Sequence, residues 1–319
     1  MAHEVESMMY VGDSPWHGLG VAIPDGKKLS IENTIVAAGL DWEVELRHIF
    51  TEDNEGSLHG ILNHYVTCRK KDNAVLGIVG KDYRPLQNRD AFRWFQPFLE
   101  GGEATLETAG SLKGGSRIWV LARIRRDPMI VGKEDILRHY VLLSNSHDGS
   151  LAVRVGFTPI RVVCNNTLCL AHESKASKLL RVKHTSRVLE NLEEIRETID
   201  LAQQEFAATV KQYNQLASRQ INSTDLVKYV RIVFGLKERQ RTHAQEKQEK
   251  IVPSVVRLFE NGRGSRTAGT NYWGAYNAVN EYLNYFRGKT QDNTLNSLWF
   301  GNSATLNKKA LEVAMRLAA

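Results

Sequence analysis

Cys164, Cys169 and His172 fall within nine residues of the stretch FTPIRVVCNNTLCLAHE, residues 157–173. Two thiols and an imidazole are zinc ligands by type, and His184 or Cys68 is available to complete a tetrahedral set. The C-x4-C-x2-H spacing fits that chemistry poorly. Structural zinc draws on close ligand pairs, and on a helix only Cys169 and His172 share a face. The sequence therefore predicts no metal. Cys164 could instead be a nucleophile, provided a base and an orienting group meet it in space. His147 and Asp148 in SNSHDG supply those types, although turn chemistry explains the pair equally well, since Asp, Asn and Ser bond back to the local backbone.

The third chemistry is that of cations and planar groups. Lys113, Arg117, Arg123, Arg125, Arg154 and Arg161 lie in or beside alternating strand-like runs, with Trp119 among them and Asn165 and Asn166 just beyond. Guanidinium groups that follow a phosphate backbone, with an aromatic plane for a base, are what single-stranded nucleic acid requires. The asparagine pair would add polar contacts at a strand-to-helix junction, where a helix N-terminus favours anions. The competing reading is a second buried face, in which the arginines run their stems past a covering helix. No nucleotide-binding P-loop, zincin signature or nucleophile elbow is present, and no cofactor is expected.

Charge distribution favours the polyanion reading. The 319 residues carry 42 Lys+Arg against 36 Asp+Glu, a net of +6. Between Lys113 and Arg187 the count is 14 against 5, which leaves 28 against 31 elsewhere. All the excess positive charge sits in that one window, and such a concentration supplies non-specific nucleic-acid affinity. With 42% hydrophobic and 24% charged residues the chain should fold rather than remain disordered. Three cysteines make no disulfide framework, so a reducing cytoplasm is expected. There is no leader-like start and no run apolar enough to span a bilayer.

These residues need strands and turns to hold them. Residues 1–30, rich in Gly and Pro, should be an irregular arm in which SPWHGLG places Trp16 and His17 in a turn. A short helix from Ile31 should stop at Gly39, with a strand through Trp42, Val44 and Leu46 after it. ILNHYVTCRKKDNAVLGIVG reads as a hairpin turning at Asn73, and NRDAFRWFQPFLEG as one helix capped by Asn88 and closed by Gly101. Lys113-Gly114-Gly115 and NSHDG join two further hairpins. In the first, Ile118, Val120, Ala122 and Ile124 alternate with Arg117, Trp119, Leu121, Arg123 and Arg125. A last strand, 160–163, should enter a helix running to Ser177. From Val188 to Ala217 apolar residues recur at steps of three and four, predicting a long helix over 186–219. Ser223 or Thr224 should cap the next helix, residues 236–250 read as a charged linker, and terminal helices follow. One of these carries Trp273, Tyr276 and Tyr282, an aromatic set suited to a host partner if exposed.

PWHGLG, TAGSLKGGSRIWVLARI, LLSNSHDGSLAVRVGFTPIRVVCNNTL, KHTSRV and WGAYNAVNEYLNYFRG together resemble the phage/plasmid-like protein family, which carries a domain of unknown function (number 932). The resemblance implies a mobile-element origin and a cytoplasmic protein, in the host cell if phage-encoded, and brings no catalytic residues with it. The order helix, hairpin, hairpin, helix from Asn88 to about Ser177 is also similar to the core of single-strand-annealing recombinases, which act as oligomeric rings; that likeness is topological.

The expected fold is α+β: a twisted antiparallel sheet of consecutive hairpins with packed helices over residues 31–185, then a mainly helical region over 186–319. The expected function is binding, and by extension annealing, of single-stranded DNA in phage or plasmid replication or recombination. The alternatives are a cysteine enzyme centred on Cys164, His147 and Asp148, or a non-enzymatic protein that engages a host factor. The partners in view are nucleic acid, a second copy of the chain and a host protein, with no membrane.

Overall fold

A computed structural model describes residues 5–12, 20–24, 29–125, 128–161, 166–167, 181–191, 199–236, 250–287, 297–298 and 301–319. The fold is α+β. Strands β1 (Val5–Val11), β2 (Val21–Ile23), β6 (Ala104–Leu112), β7 (Arg117–Ile124), β8 (Met129–Val131), β9 (Asp135–Ser146), β10 (Val153–Arg161), β11 (Asn166–Thr167) and β12 (Arg181–Val182) form one sheet. Strands β3 (Val44–Glu52), β4 (Leu58–Arg69) and β5 (Val75–Gly80) form a second.

The chain divides into two compact units. The first comprises Met1–Arg125, Val141–Gly156 and His172–Ala202, and the second Arg126–Tyr140, Phe157–Ala171 and Gln203–Ala319. A division near residue 185 therefore misses the interleaving, because residues 126–140 and 157–171 group with the C-terminal helices.

In the first unit, turn chemistry sets the hairpins. Asn73 (φ 61°) closes β4 and β5 in the left-handed conformation that asparagine tolerates. Lys113, Gly114 and Gly115 are all left-handed (φ 54°, 63° and 88°) between β6 and β7. Helix α1 (Ile31–Ala37) starts at Ser30, whose hydroxyl accepts from Asn33 N at 3.1 Å.

Three expectations for this unit change. The N-terminal arm is strand in part: β1 pairs antiparallel with β6 (Met9 opposite Ala109), and Met9 is fully buried. Trp16 and His17 lie outside the described residues. The aromatic helix is two, α2 (Asn88–Arg93) and α3 (Gln96–Glu100). Pro97 falls in the first turn of α3, where its missing N–H costs nothing. Asn88 is no cap; its buried Nδ2 donates to Leu40 O at 3.1 Å, and the cap position is Gln87.

The second unit is mainly helical: α4 (Ile199–Ser218, of which residues from Gln203 on belong to this unit), α5 (Ser223–Phe234), α6 (Ile251–Asn261), α7 (Ser265–Ala268), α8 (Tyr272–Glu281) with a π-helical turn after it, and α9 (Asn302–Ala318). The long helix expected over 186–219 is described as helical backbone at 188–191 and as α4; residues 192–198, like 237–249 of the charged linker, lie outside the described residues. Asn222, not Ser223 or Thr224, caps α5, accepting from Asp225 N at 2.8 Å. Every residue of α8 is buried. Trp273 donates to Asp135 Oδ2 at 2.7 Å and Tyr276 to Asn307 Oδ1 at 2.9 Å. Trp273 and Tyr276 are thus core, held by polar contacts, and offer no surface for a host factor, whereas Tyr282, in the turn after α8, is half-buried. No helix among the described residues is long and apolar enough to cross a membrane.

Candidate nucleic-acid interface

Strand β7 was expected to hold one apolar face and one open, basic face. Its residues from Ile118 to Ala122 are buried on both faces. Trp119 is 1% exposed, its indole N–H reaches Thr108 Oγ1 at 3.3 Å, and a Cβ added at Gly110 across the ladder would lie 2.5 Å from its ring. The ring has no free face for a base. Alternation fixed which side chains share a face, but not that both faces would be covered. Arg123 pairs with Glu107 at 2.9 Å, so its charge is offset within the fold. Arg125 is exposed beyond the strand end, its backbone N–H bonded to Glu103 O at 2.7 Å, and Lys113 is exposed at the opposite end of the strand in the β6–β7 turn.

A different set gathers around β10. Arg154 is opposite Arg181 of β12 in antiparallel register, with Val153 opposite Val182. Directly opposed residues project from the same face, their Cβ atoms about 5 Å apart. Arg117, at the start of β7, donates from Nη2 to Ser150 Oγ at 3.0 Å. Burial first, then the positive charges of Arg181 and Arg117, hold the Arg154 guanidinium below its usual range, which places the three cations within electrostatic reach. Arg154 is half-buried, its Nε has no hydrogen-bond partner, and no carboxylate pairs with it among the described residues. Arg181 and Lys183 are exposed, alternating with buried Val182 and His184. Of the residues singled out in sequence, Arg117 and Arg154 thus come together; Lys113, Arg123 and Arg125 are not part of the cluster.

Arg181 and Lys183 were not singled out. The period-two pattern of RVKH was the available signal, but a two-residue strand pairing with β10 from 27 positions away has no local signature. Arg161 ends β10, and Asn166 pairs back opposite it as part of β11, so Asn166 is on a returning strand rather than at a helix start. Asn165 and the side chain of Arg161 lie outside the described residues.

The histidine candidates are structural groups of the first unit. His147 is fully buried; its Nε2 meets Asn88 Oδ1 at 2.9 Å and its ring meets Trp42 edge-on at 5.4 Å. Asn88 Oδ1 can only accept, so His147 carries its proton on Nε2. Burial, then the nearby His184, pushes its pKa down to about 3, against a smaller opposing effect of Asp148. A base so weak is poorly matched to proton abstraction near neutral pH. Asp148 accepts from Ser150 N at 2.8 Å, as turn residues do, and β5 approaches so closely that a Cβ at Gly77 would lie 2.5 Å from Asp148 Cα. His184 stacks on Tyr83 with ring centroids 4.7 Å apart. Cys68 is buried and free, while Cys164, Cys169 and His172 lie outside the described residues. Among the described residues no three His, Cys, Asp or Glu side chains gather as a metal would need.

The family described as Domain of unknown function (DUF932) matches residues 75–299, well over half of the chain and from β5 through the α8 region. The chain belongs to that family. The matched span of this DUF932 chain includes β7, β10, β12 and hence the arginine cluster, but leaves out β3, β4 and the whole hairpin that they form. No curated protein matches the chain. No solved structure matches it either.

Proposed function

We propose that this DUF932 chain binds single-stranded nucleic acid by its phosphate backbone, anchored by Arg117, Arg154 and Arg181 with Lys183 beside them. The observation that carries this reading is the cross-strand pairing of Arg154 with Arg181. Like charges directly opposite on a sheet are destabilising by roughly 0.2–1 kcal/mol. A phosphate seated between two guanidinium groups reverses that repulsion and forms paired, charge-assisted hydrogen bonds. Base stacking on Trp119 has no place in this reading; guanidinium planes serve instead. Single-stranded DNA of phage or plasmid replication or recombination, handled in the cytoplasm, is the setting that the sequence resemblance suggests, and annealing is its extension.

The test is fluorescence anisotropy of a labelled oligonucleotide across a salt series, with single-stranded and duplex probes side by side. The log affinity should fall linearly with log salt, and losing one phosphate contact should make the slope for single strands shallower by about 0.7. Absence of binding at low salt, or tight binding that ignores salt, would overturn the proposal.

A further inference from the structure

The second sheet carries a feature that the arginine cluster does not explain. Strand β5 pairs with β4 only from His64 to Cys68, so β3 and β4 continue past it as a two-stranded arm with Phe50 opposite Gly60 and Glu52 opposite Leu58. All residues from Phe50 to His64 are exposed. Among them Phe50 is 58%, Leu58 68%, Ile61 42% and Leu62 82% accessible. The register jumps between His48 and Phe50, so that Ile61–His64 bulge outward, with Asn63 at φ 61° and Leu62 at the crest.

The arm is nonetheless built as a defined object. Asp53 Oδ1 accepts from Glu55 N and Ser57 N, both at 2.9 Å, and Asp53 Oδ2 meets His59 Nε2 at 2.6 Å. An isolated two-stranded ribbon is marginal in water. Exposed strand edges are normally blunted by charged residues or proline, whereas LHGILNH, residues 58–64, contains no Lys, Arg, Asp, Glu or Pro. Four large apolar side chains on a ribbon whose β4 strand carries no charge or proline over this stretch mark a surface that another chain covers.

Charge selects the occupant. Glu52, Asp53 and Glu55 make the tip acidic, which disfavours nucleic acid and anionic lipid alike. The shoulder where β5 ends carries exposed Lys81 and Arg84 around Asp82. Two arms laid antiparallel about a two-fold axis near Gly60 and Ile61 bring each acidic tip to the other's shoulder. This is the self-complementarity that an isologous contact requires. We propose that two copies of the chain associate through these arms, with Phe50 and Leu58, which share a face of the ribbon, and the bulged Leu62 as the apolar contact, and with β4 extended by the partner's strand where β5 stops.

Sedimentation of the full chain over a concentration series tests this, with circular dichroism as a check on folding. The unaltered chain should form a dimer or a larger assembly. Leu62→Glu and Leu58→Glu, both at exposed positions, should each raise the dissociation constant by about tenfold or more. Glu52→Lys and Lys81→Glu should each weaken association, and the two together should restore it. A chain that stays monomeric up to about 100 μM, roughly the affinity range of transient contacts, overturns the proposal. So does an assembly indifferent to both leucine substitutions, or a charge swap without rescue. Oligonucleotide binding is a separate readout: Arg154→Gln should leave self-association intact.

Discussion

Strands β7 and β10 hold arginines under opposite conditions. On β7, Arg123 is matched by Glu107 and the residues between Ile118 and Ala122 are buried on both faces, so its positive charge belongs to the architecture. On β10, Arg154 faces Arg181 across the ladder, with no carboxylate paired to it among the described residues. Alternation in sequence is the same in both strands. What separates a structural cation from one available to a ligand is the company that long-range pairing gives it.

The largest effect that would sharpen this contrast comes from the buried face of β7. Trp119→Ala should cost about 3–5 kcal/mol in chemical denaturation, as truncations of buried aromatics do. Trp119→Phe, which keeps most of the packing, should leave oligonucleotide affinity unchanged at temperatures where it is folded. A large loss of affinity in a folded Trp119→Phe chain would mean that the ring meets ligand after all.

Next in size is the pH response of the histidine core beside the cluster. His147 titrates near pH 3 when folded and near 6.5 when unfolded. Between those values the unfolded chain takes up a proton that the folded chain refuses, so stability falls as pH drops from about 6.5 towards 3. His184, also lowered, chiefly by burial, contributes in the same direction. The loss should reach a few kcal/mol, an order-of-magnitude figure from about 1.4 kcal/mol per unit. His147→Gln should flatten the stability–pH profile over this window while lowering stability at pH 7; an unaltered slope would contradict the buried, neutral assignment.

The contrast between the two arginines makes a smaller but more distinctive prediction. Arg154→Gln should weaken oligonucleotide binding and yet leave the fold as stable or a few tenths of a kcal/mol more so, because a like-charge cross-strand pair is removed. Arg123→Gln should do the reverse, keeping affinity and losing up to about 1 kcal/mol of stability for its partly exposed ion pair with Glu107. Smallest of all, Arg125→Gln should change both by less than about 0.5 kcal/mol, as exposed sites do.

The sequence disclosed what local chemistry controls. The Lys-Gly-Gly turn, Asn73 and the NSHDG turn mark hairpins because only a few residue types accept those backbones, and α+β follows from them. It also kept Arg117 and Arg154 in view. It was silent on coverage: nothing local says that Trp119 is roofed, that Asn88 turns inward to His147, or that Arg181 comes back beside Arg154. Capping residues were misplaced by one position at both Asn88 and Ser223, since neighbouring polar residues compete for the same cap. The exposed arm was not read from sequence: the hairpin expected there was β4–β5, turning at Asn73, whereas the arm is the β3–β4 ribbon, and its lack of a covering strand depends on where β5 ends.

The central claim is that Arg154 and Arg181 form a phosphate site. Its most direct test is the salt-dependent affinity of a single-stranded oligonucleotide for the unaltered chain and for Arg154→Gln. The account predicts weaker binding and a slope shallower by about 0.7 for the variant. Identical slopes and affinities in a folded Arg154→Gln chain would contradict it.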